Sequence, residues 1–405
     1  MNPATSPSTT EGAADASATT TANWAGVLSM TICVFGLIAS EFMPVSLLTP
    51  IATSLGVSEG WAGYGIAISG TFAVITSLSI SRLAGNLNRK TLLLLLTMAM
   101  GVSGVIVSLA PSYPVYMMGR ALIGVVIGGF WSMSAAIAMR LVPAKSVPKA
   151  LAIFNGGNAL ATVVAAPLGS YLGGVIGWRG AFMCVVPIAL IALIWQWISL
   201  PSLKAEKGNG APAGAFGVLY QRIVRRGMAA VGLFFIGQFI LFTYLRPFLE
   251  TVTGVSVTEL SMMLLALGLA GFVGTVIIGS VIKRGVYKPL IVVPLVMAAV
   301  AVALVVLGHM TGLVFALLAL WGLVATAVPV AWWSWLAQSL PNDAEAGGGL
   351  MVAVIQLSIA LGSTVGGVLF DSSGYRITFI ASAFVLILGS LVAAATARTN
   401  GNAAR

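Results

Sequence analysis

Charged residues are scarce in this sequence, at 7% of 405 residues. A water-soluble domain carries about 25% charged residues, so the composition excludes a soluble fold. Acidic residues are the rarer charge, with 10 Asp and Glu against 20 Lys and Arg. The single histidine, His309, cannot form a multi-histidine metal site and has no evident nucleophile beside it.

Cysteine is almost absent, and Cys33 and Cys184 both lie inside long apolar stretches. Such residues usually pack as small apolar side chains, which argues against a disulfide scaffold. No motif for catalysis or for a prosthetic group is evident. We therefore predict a protein that is not an enzyme and that holds no cofactor and no metal.

Apolar residues, by contrast, make up 59% of the sequence. They recur in stretches of the length that a helix needs to cross a hydrocarbon core of about 30 Å. The sequence predicts twelve such spans, at 25–48, 60–82, 91–110, 114–140, 149–175, 178–200, 228–250, 259–283, 288–309, 311–338, 347–370 and 376–397. Trp332, Trp333 and Trp335, near the end of the tenth span, are expected to lie in the membrane interface.

The spans fall into two related halves. The pattern Gly-aromatic-Arg-x-x-Phe occurs at 177–182 and again at 374–379, an offset of 197 residues. At nearly the same offset, Gly56-Val57-Ser58 matches Gly254-Val255-Ser256. A long internal period of this kind indicates a duplicated architecture. The predicted fold is therefore an all-α membrane protein with two pseudo-symmetric six-helix bundles.

Composition also predicts the domain boundaries. Residues 1–23 are rich in Ser, Thr and Ala and lack Lys and Arg, which indicates a disordered tail rather than a secretory signal. We expect bundles at 24–200 and 228–397, a Gly- and Pro-containing linker at 201–227, and a short tail at 398–405.

Basic residues cluster in alternate loops. Sixteen of the 20 Lys and Arg lie after the even-numbered spans, on one side of the predicted membrane. The positive-inside rule places that side, with both termini, in the cytoplasm. We expect the basic run around Arg225 to lie near anionic lipid and not to bind nucleic acid.

Two six-helix halves around a central cavity are typical of a secondary transporter. A channel is disfavoured because no filter loop or ring of charges is evident. Glu41 is the acidic residue that lies well inside a span, and Arg120 lies at a similar depth in span 4. Burial would favour the neutral form of Glu41, whereas a nearby Arg120 would favour the charged form, and that balance suits a proton carrier. A permanent structural ion pair is the alternative.

Further motifs give this chain a family resemblance. The six-plus-six arrangement and Arg120-x-x-x-Gly124-x-x-x-Gly128 resemble the major facilitator superfamily, drug:proton antiporter branch. Longer matches resemble bacterial purine ribonucleoside efflux permeases: Glu41-Phe42-Met43-Pro44-Val45-Ser46, Gly128-Gly129-Phe130-Trp131-Ser132-Met133, Gly237-Gln238-Phe239, Phe242-Thr243-Tyr244-Leu245-Arg246-Pro247 and Val352-Ala353-Val354-Ile355-Gln356-Leu357. The resemblance implies export of nucleosides such as inosine and guanosine in exchange for protons across a bacterial inner membrane.

The chain departs from the superfamily pattern in the loop after span 2. That loop reads Ser81-Arg82-Leu83-Ala84-Gly85-Asn86-Leu87-Asn88-Arg89-Lys90 and lacks the acidic residue that the superfamily has there. In the superfamily this residue helps to hold the cytoplasmic side closed, so the sequence leaves open how this chain does so.

Aromatic and amide side chains at helical spacing are the candidate substrate contacts. Arg120, Gly124, Gly128 and Trp131 share one face of span 4, where small residues would let another helix approach and Trp131 would stand at mid-depth. The candidate substrate-binding residues are Trp131, Asn155, Asn158, Gln238, Phe242, Tyr244, Arg246 and Gln356. Interhelical packing is the alternative role for the amides, and gating with Glu250 is the alternative for Arg246.

The sequence thus predicts a monomeric exporter whose partners are a small-molecule purine nucleoside, protons and the lipid bilayer. Two alternatives stay open. The same fold could export sugars or hydrophobic drugs, or the protein could be a transporter-like sensor or scaffold.

Overall fold

The computed structural model describes residues 22–203, 217–340 and 344–403, and the regular elements within them are all helical. Residues 1–21, 204–216, 341–343, 404 and 405, which include most of the expected tail and about half of the linker, lie outside the described residues. The N-terminal half contains α1 (Trp24–Ser46), α2 (Leu48–Leu55), α3 (Glu59–Ala84), α4 (Arg89–Ser108), α5 (Tyr113–Trp131), α6 (Ser134–Arg140), α7 (Val147–Met183) and α8 (Val185–Ser199). The C-terminal half contains α9 (Arg222–Phe242), α10 (Leu245–Phe248), a π-helical turn (Leu249–Thr253), α11 (Val257–Ile282), α12 (Tyr287–Leu307), α13 (Thr311–Ala325), α14 (Val328–Ser339) and α15 (Ala344–Ala403).

Twelve membrane crossings follow from ten apolar segments. Two of the segments, Lys149–Ser199 and Gly347–Arg398, have 51 and 52 residues, and one crossing needs about 20. Each contains a glycine with positive φ, Gly177 at 76° and Gly374 at 74°, where the chain reverses direction. The twelve-span prediction and the all-α fold class are therefore confirmed.

The same backbone conformations mark the internal repeat. Gly56 and Gly254 end helical segments in the left-handed conformation, with φ of 66° and 72°. Each is followed two residues later by a serine that caps the next helix, Ser58 for α3 and Ser256 for α11. Both capped helices have 26 residues. The two halves thus share backbone geometry as well as sequence.

Two helices extend beyond the predicted bundle boundaries. α9 begins at Arg222, whereas the sequence suggested 228, and α15 continues to Ala403 beyond residue 397. Each extension adds between one and two helical turns to its span. The basic residues Arg222, Arg225 and Arg226 consequently lie on α9 and not in a linker.

The two halves meet from mid-depth to one side of the bundle. We call the side on which α1 begins and α15 ends the terminal side, and the opposite one the far side. The main contacts between the halves join α3 to α15 and α7 to α11. Glycines allow close approach at Gly60 and Gly70 against α15 and at Gly268 against α7. These positions lie between the middle and the far side, so the far side is closed.

The tryptophan prediction for span 10 was wrong for two residues. Trp332 and Trp335 are buried in the C-terminal half, and only Trp333 is exposed. Trp335 fits against Gly227 of α9 and donates a hydrogen bond from Nε1 to the Tyr287 hydroxyl over 3.2 Å. Packing onto a glycine therefore outweighed the interfacial preference of the indole ring.

Candidate functional site

Arg120 of α5 lies fully buried at the centre of the N-terminal half. Its guanidinium donates four hydrogen bonds: from Nε to the Gly65 carbonyl (3.0 Å), from Nη1 to the Ser40 carbonyl (2.7 Å), and from Nη2 to the Glu41 carbonyl (3.3 Å) and Ser69 Oγ (3.1 Å). These acceptors belong to α1 and α3. Arg120 therefore ties three helices together.

Close packing of α5 on α3 places the guanidinium among these acceptors. A Cβ atom at Gly124 would overlap the Ser69 carbonyl, and one at Gly128 would overlap the Ala73 carbonyl. The prediction that small residues on this face of span 4 admit another helix is confirmed. Only glycine allows α3 to come this near.

Glu41 of α1 is buried at the junction between the halves, with 4% of its surface exposed. Its carboxylate Oε1 accepts a hydrogen bond of 3.2 Å from Nε2 of Gln356 on α15. Glu41 and Arg120 do meet at one depth, as the sequence predicts, but the contact that the structure records uses the Glu41 backbone carbonyl. The carboxylate is instead joined to the opposite half.

Two glutamines at this level hold buried oxygens that have no hydrogen-bond partner among the described residues. They are Oε1 of Gln238 on α9 and Oε1 of Gln356. Buried amide oxygens in proteins normally accept a hydrogen bond, so an unpaired one invites a ligand with a donor. Gln238 is next to Phe239, which stacks on Phe42 of α1 with ring centroids 6.1 Å apart. Phe242 packs edge-on against Phe239 at 5.9 Å.

Trp131 forms an aromatic cluster within its own half. Its ring contacts Phe130 and Phe154 edge-on, at centroid distances of 6.5 and 6.2 Å. It ends α5, eleven residues beyond Arg120, or about 16 Å at 1.5 Å per residue. Trp131 is therefore nearer the terminal side than the mid-depth position that the sequence suggested.

The two predicted asparagines lie on α7. Asn155 is exposed and donates from Nδ2 to the Leu151 carbonyl over 2.9 Å. Asn158 is half-buried, and its own carbonyl accepts from Thr162 Oγ1 over 2.9 Å. These bonds connect residues one turn apart on the same helix. Both amides thus lie on one helix, and neither has a hydrogen-bond partner on another helix within the described ranges.

Tyr244 and Arg246 lie at the far-side closure and away from mid-depth. The Tyr244 hydroxyl donates to the Ser363 carbonyl over 2.8 Å and fits against Gly63 of α3. Arg246 donates from Nε to Glu250 over 2.8 Å and from Nη1 to the Ser46 carbonyl at the end of α1. The Arg246–Glu250 pair matches the alternative expected for Arg246.

The sequence signatures and the helical halves point to one family. A Major Facilitator Superfamily model matches residues 30–349, which is more than three quarters of the chain. The chain belongs to this superfamily.

Two similar proteins align with nearly the whole of this facilitator. The transcription regulatory protein OpdE of Pseudomonas aeruginosa PAO1 is 60% identical over 384 residues, or 94% of this chain and 96% of that protein. The purine ribonucleoside efflux pump NepI of Salmonella typhimurium LT2 is 40% identical over 376 residues, or 93% of this chain and 94% of that protein.

Solved structures show the same fold at low sequence identity. A bacterial homologue of the human lysosomal transporter Spinster, inward-facing and unoccupied, has a TM-score of 0.79 at 17% identity, covering 93% of this chain and 97% of that one. A D-xylose–proton symporter has a TM-score of 0.73 at 16% identity, covering 92% and 96%. This facilitator is a multi-pass membrane transporter, and its family and fold are those of transporters and not of enzymes.

A cross-half contact that sequence analysis missed closes the far side of this facilitator. Asp371 of α15 accepts hydrogen bonds from the Ser58 hydroxyl and, over 3.0 Å, from the Gly60 backbone N–H. Both donors belong to the N-terminal turn of α3. The positive end of the helix dipole there also stabilises a carboxylate. A difference between the repeats could have indicated this contact. Ser256 has an acidic residue three positions later, Glu259, whereas Ser58 has Trp61 at that position and no carboxylate to complete a capping box.

Proposed function

We propose that this transporter is a proton-coupled antiporter that exports purine ribonucleosides, such as inosine and guanosine, by alternating access. The hydrogen bond between Glu41 and Gln356 carries the proposal, because it joins a buried, titratable carboxylate of one half to the other half. Alternating access moves one half against the other. A proton that changes this bond also changes the balance between the two conformations, and the effect is reciprocal.

The proposed cargo rests on the 40% identity to NepI, a purine ribonucleoside efflux pump, and on the buried amide and aromatic side chains at the junction between the halves. The unpaired oxygens of Gln238 and Gln356 suit the donors of a purine or a ribose. Aromatic rings suit the faces of a purine. Trp131, Asn155, Asn158 and Phe242 complete the proposed substrate site. Tyr244 and Arg246 are assigned to far-side closure in this conformation.

The proposed location is a bacterial inner membrane, with the terminal side in the cytoplasm. The distribution of Lys and Arg supports this orientation. The conformation with a closed far side then corresponds to a state that is ready to load cargo from the cytoplasm. We propose that the protein works as a monomer and that its surroundings are lipid.

Counterflow tests the cargo directly. Purified protein in liposomes preloaded with unlabelled inosine should accumulate labelled inosine from outside, and an imposed proton gradient should drive net movement. Labelled xylose and a hydrophobic cation serve as competing cargoes. Accumulation of either of these without inosine would replace the proposed substrate class.

A second candidate, a transporter-like sensor, is favoured by the 60% identity to OpdE, which is named a transcription regulatory protein. The same vesicles separate the two functions, because they contain no other protein. A sensor should bind inosine without moving it across the membrane. Accumulation in these vesicles would establish transport, and any effect on transcription would then follow from the solute that is moved.

A further inference from the structure

The two ends of the Gln356 side-chain amide lie in different surroundings. Nε2 donates to the Glu41 carboxylate over 3.2 Å, while Oε1 is buried and has no hydrogen-bond partner in the part of the chain that the structure describes. The side chain as a whole is 7% exposed. One end of the amide therefore bonds to Glu41, and the other end holds a buried acceptor at the junction between the halves.

We propose that Gln356 transmits the protonation state of Glu41 to the substrate by exchanging which end of its amide faces Glu41 and which end is left for the substrate. This inference rests on the proposed proton coupling at Glu41. An ionised carboxylate only accepts hydrogen bonds, so it must face the amide nitrogen and leave the amide oxygen free. A protonated carboxyl has an O–H donor, which the amide oxygen accepts once the amide has turned over.

The exchange needs little movement. The terminal torsion of a glutamine side chain is broad and roughly two-fold, so a half turn places NH2 where the oxygen was. No helix has to shift for this step. Gln356 then presents an acceptor to the substrate when Glu41 is ionised, and a donor when Glu41 carries the proton.

Among the groups around Glu41, Gln356 is the one that can act as the relay. From α5, Arg120 is the charged neighbour, and its guanidinium donates to backbone carbonyls and to Ser69. From α3, Gly65 and Ser69 face Arg120 and are not titratable. From α15, the recorded partner of the carboxylate is Gln356. The protonation state of Glu41 therefore acts on a neutral, rotatable amide that reaches the other half.

Such an exchange predicts pH-dependent selectivity between nucleosides with reversed donors and acceptors. Inosine has a carbonyl acceptor and a ring N–H donor where adenosine has an amino donor and a ring-nitrogen acceptor. The ratio of their dissociation constants should change by about fivefold as Glu41 titrates, the effect of about one hydrogen bond. In Gln356→Met, which keeps the approximate length without the amide, the ratio should not depend on pH.

A second readout needs no cargo. Infrared difference spectra of the substrate-free protein between low and high pH should contain a carboxyl band that Glu41→Gln removes. They should also contain a glutamine amide band, identified by isotope labelling of the side-chain carbonyl. Both Glu41→Gln and Gln356→Met should remove that amide band. Gln196→Met is the matched control, because Gln196 of α8 is also buried and accepts a hydrogen bond from the Thr97 hydroxyl, away from the junction. This control should retain the band.

Each outcome decides one of the two proposals. An amide band that persists in Gln356→Met, or a selectivity ratio that still varies with pH in that variant, would overturn the relay. The band pattern without any nucleoside binding would support the relay and refute the cargo of the proposed function. If Gln356→Met does not fold, Gln356→Asn, which is one methylene too short to reach Glu41, should give the same losses.

Discussion

Pro44 explains how an arginine side chain is held inside the membrane. Proline has no backbone N–H, so the carbonyl of the residue four positions earlier, Ser40, loses its helical partner. Arg120 Nη1 donates to that carbonyl over 2.7 Å. In a bilayer a freed backbone carbonyl needs such a replacement. Pro44 of α1 thus leaves a backbone acceptor free for a side chain of α5.

Arg120→Lys should destabilise the protein even though the charge is kept. A single ammonium cannot reach four acceptors spread over two helices in the way that a planar guanidinium does. Losing one charged hydrogen bond costs about 1.5–3 kcal/mol. Denaturation in detergent micelles should show this loss, whereas Arg398→Lys, an exposed change on α15, should leave stability unaltered. Equal stability of the two variants would show that the Arg120 hydrogen bonds contribute little.

Glu41→Gln should separate substrate movement from proton movement. Glutamine keeps the size and hydrogen-bonding capacity of the carboxyl group but cannot titrate. The variant should bind and exchange inosine, lose accumulation driven by a proton gradient, and lose the pH dependence of binding. Proteoliposome transport and binding titrations across pH measure these effects.

Glu259→Gln is the matched control for that experiment, because Glu259 is exposed at the start of α11 and glutamine can still complete its capping box. It should pump as the unchanged protein does. Gradient-driven accumulation by Glu41→Gln would remove Glu41 from the coupling mechanism.

Helix α3 and its counterpart α11 satisfy their first-turn N–H groups in different ways. Ser256 and Glu259 form a capping box within α11, in which each side chain accepts from the other residue's backbone. α3 has the serine, Ser58, but obtains its carboxylate from Asp371 in the other half. The cap of α11 is therefore independent of conformation, whereas the cap of α3 is complete only when the far side is closed.

Asp371→Ala should shift the equilibrium towards an open far side. Removing a capping side chain costs about 1 kcal/mol, roughly a fivefold change in the ratio of closed to open protein. Asp371→Asn should have a smaller effect, since asparagine still caps a helix. Pulsed electron resonance between spin labels at Thr53 and Ser373, both exposed on the far side, should show a larger population at long distance.

The matched control for this comparison is Glu259→Ala. It removes the equivalent carboxylate from α11 without touching a contact between the halves. Its distance distribution should match that of the unchanged protein. If Glu259→Ala opened the far side as much as Asp371→Ala, the effect would be one of general helix stability.

On the scale of the whole molecule, the closed far side and the basic terminal side define an orientation that can be measured. Chain reversals at Gly177 and Gly374 lie on the far side, as does the start of α3. The clustered Lys and Arg of the even-numbered loops lie on the terminal side. If the positive-inside rule holds for this chain, the far side faces away from the cytoplasm.

Single cysteines should report this orientation in intact cells. In a background without Cys33 and Cys184, Ser373→Cys should react with a thiol reagent that does not cross the membrane. Ser146→Cys, a serine-to-cysteine change at the opposite side, should react only after the membrane is permeabilised. The reverse pattern would invert the proposed orientation and, with it, the direction of export.

The sequence by itself determined the class, the number of crossings and the repeat. These properties depend on local length and composition, because each crossing needs about 20 apolar residues whatever its neighbours are. The depth of Glu41 and Arg120 was also accessible, since rise per residue converts sequence distance into height within a helix. The tolerance of α5 for a close neighbour could likewise be predicted from Gly124 and Gly128.

Only the tertiary structure decided which groups become partners. It paired the Glu41 carboxylate with Gln356, more than 300 residues away, and paired Arg120 with three backbone carbonyls and the Ser69 hydroxyl. In the folded protein, Trp332 and Trp335 are buried and Asp371 accepts a hydrogen bond at the start of α3. Tyr244 and Arg246 lie at the far-side closure. Side-chain partners depend on the rotation of each helix about its axis and on contacts between the halves. Neither quantity is encoded in the spacing within any one span.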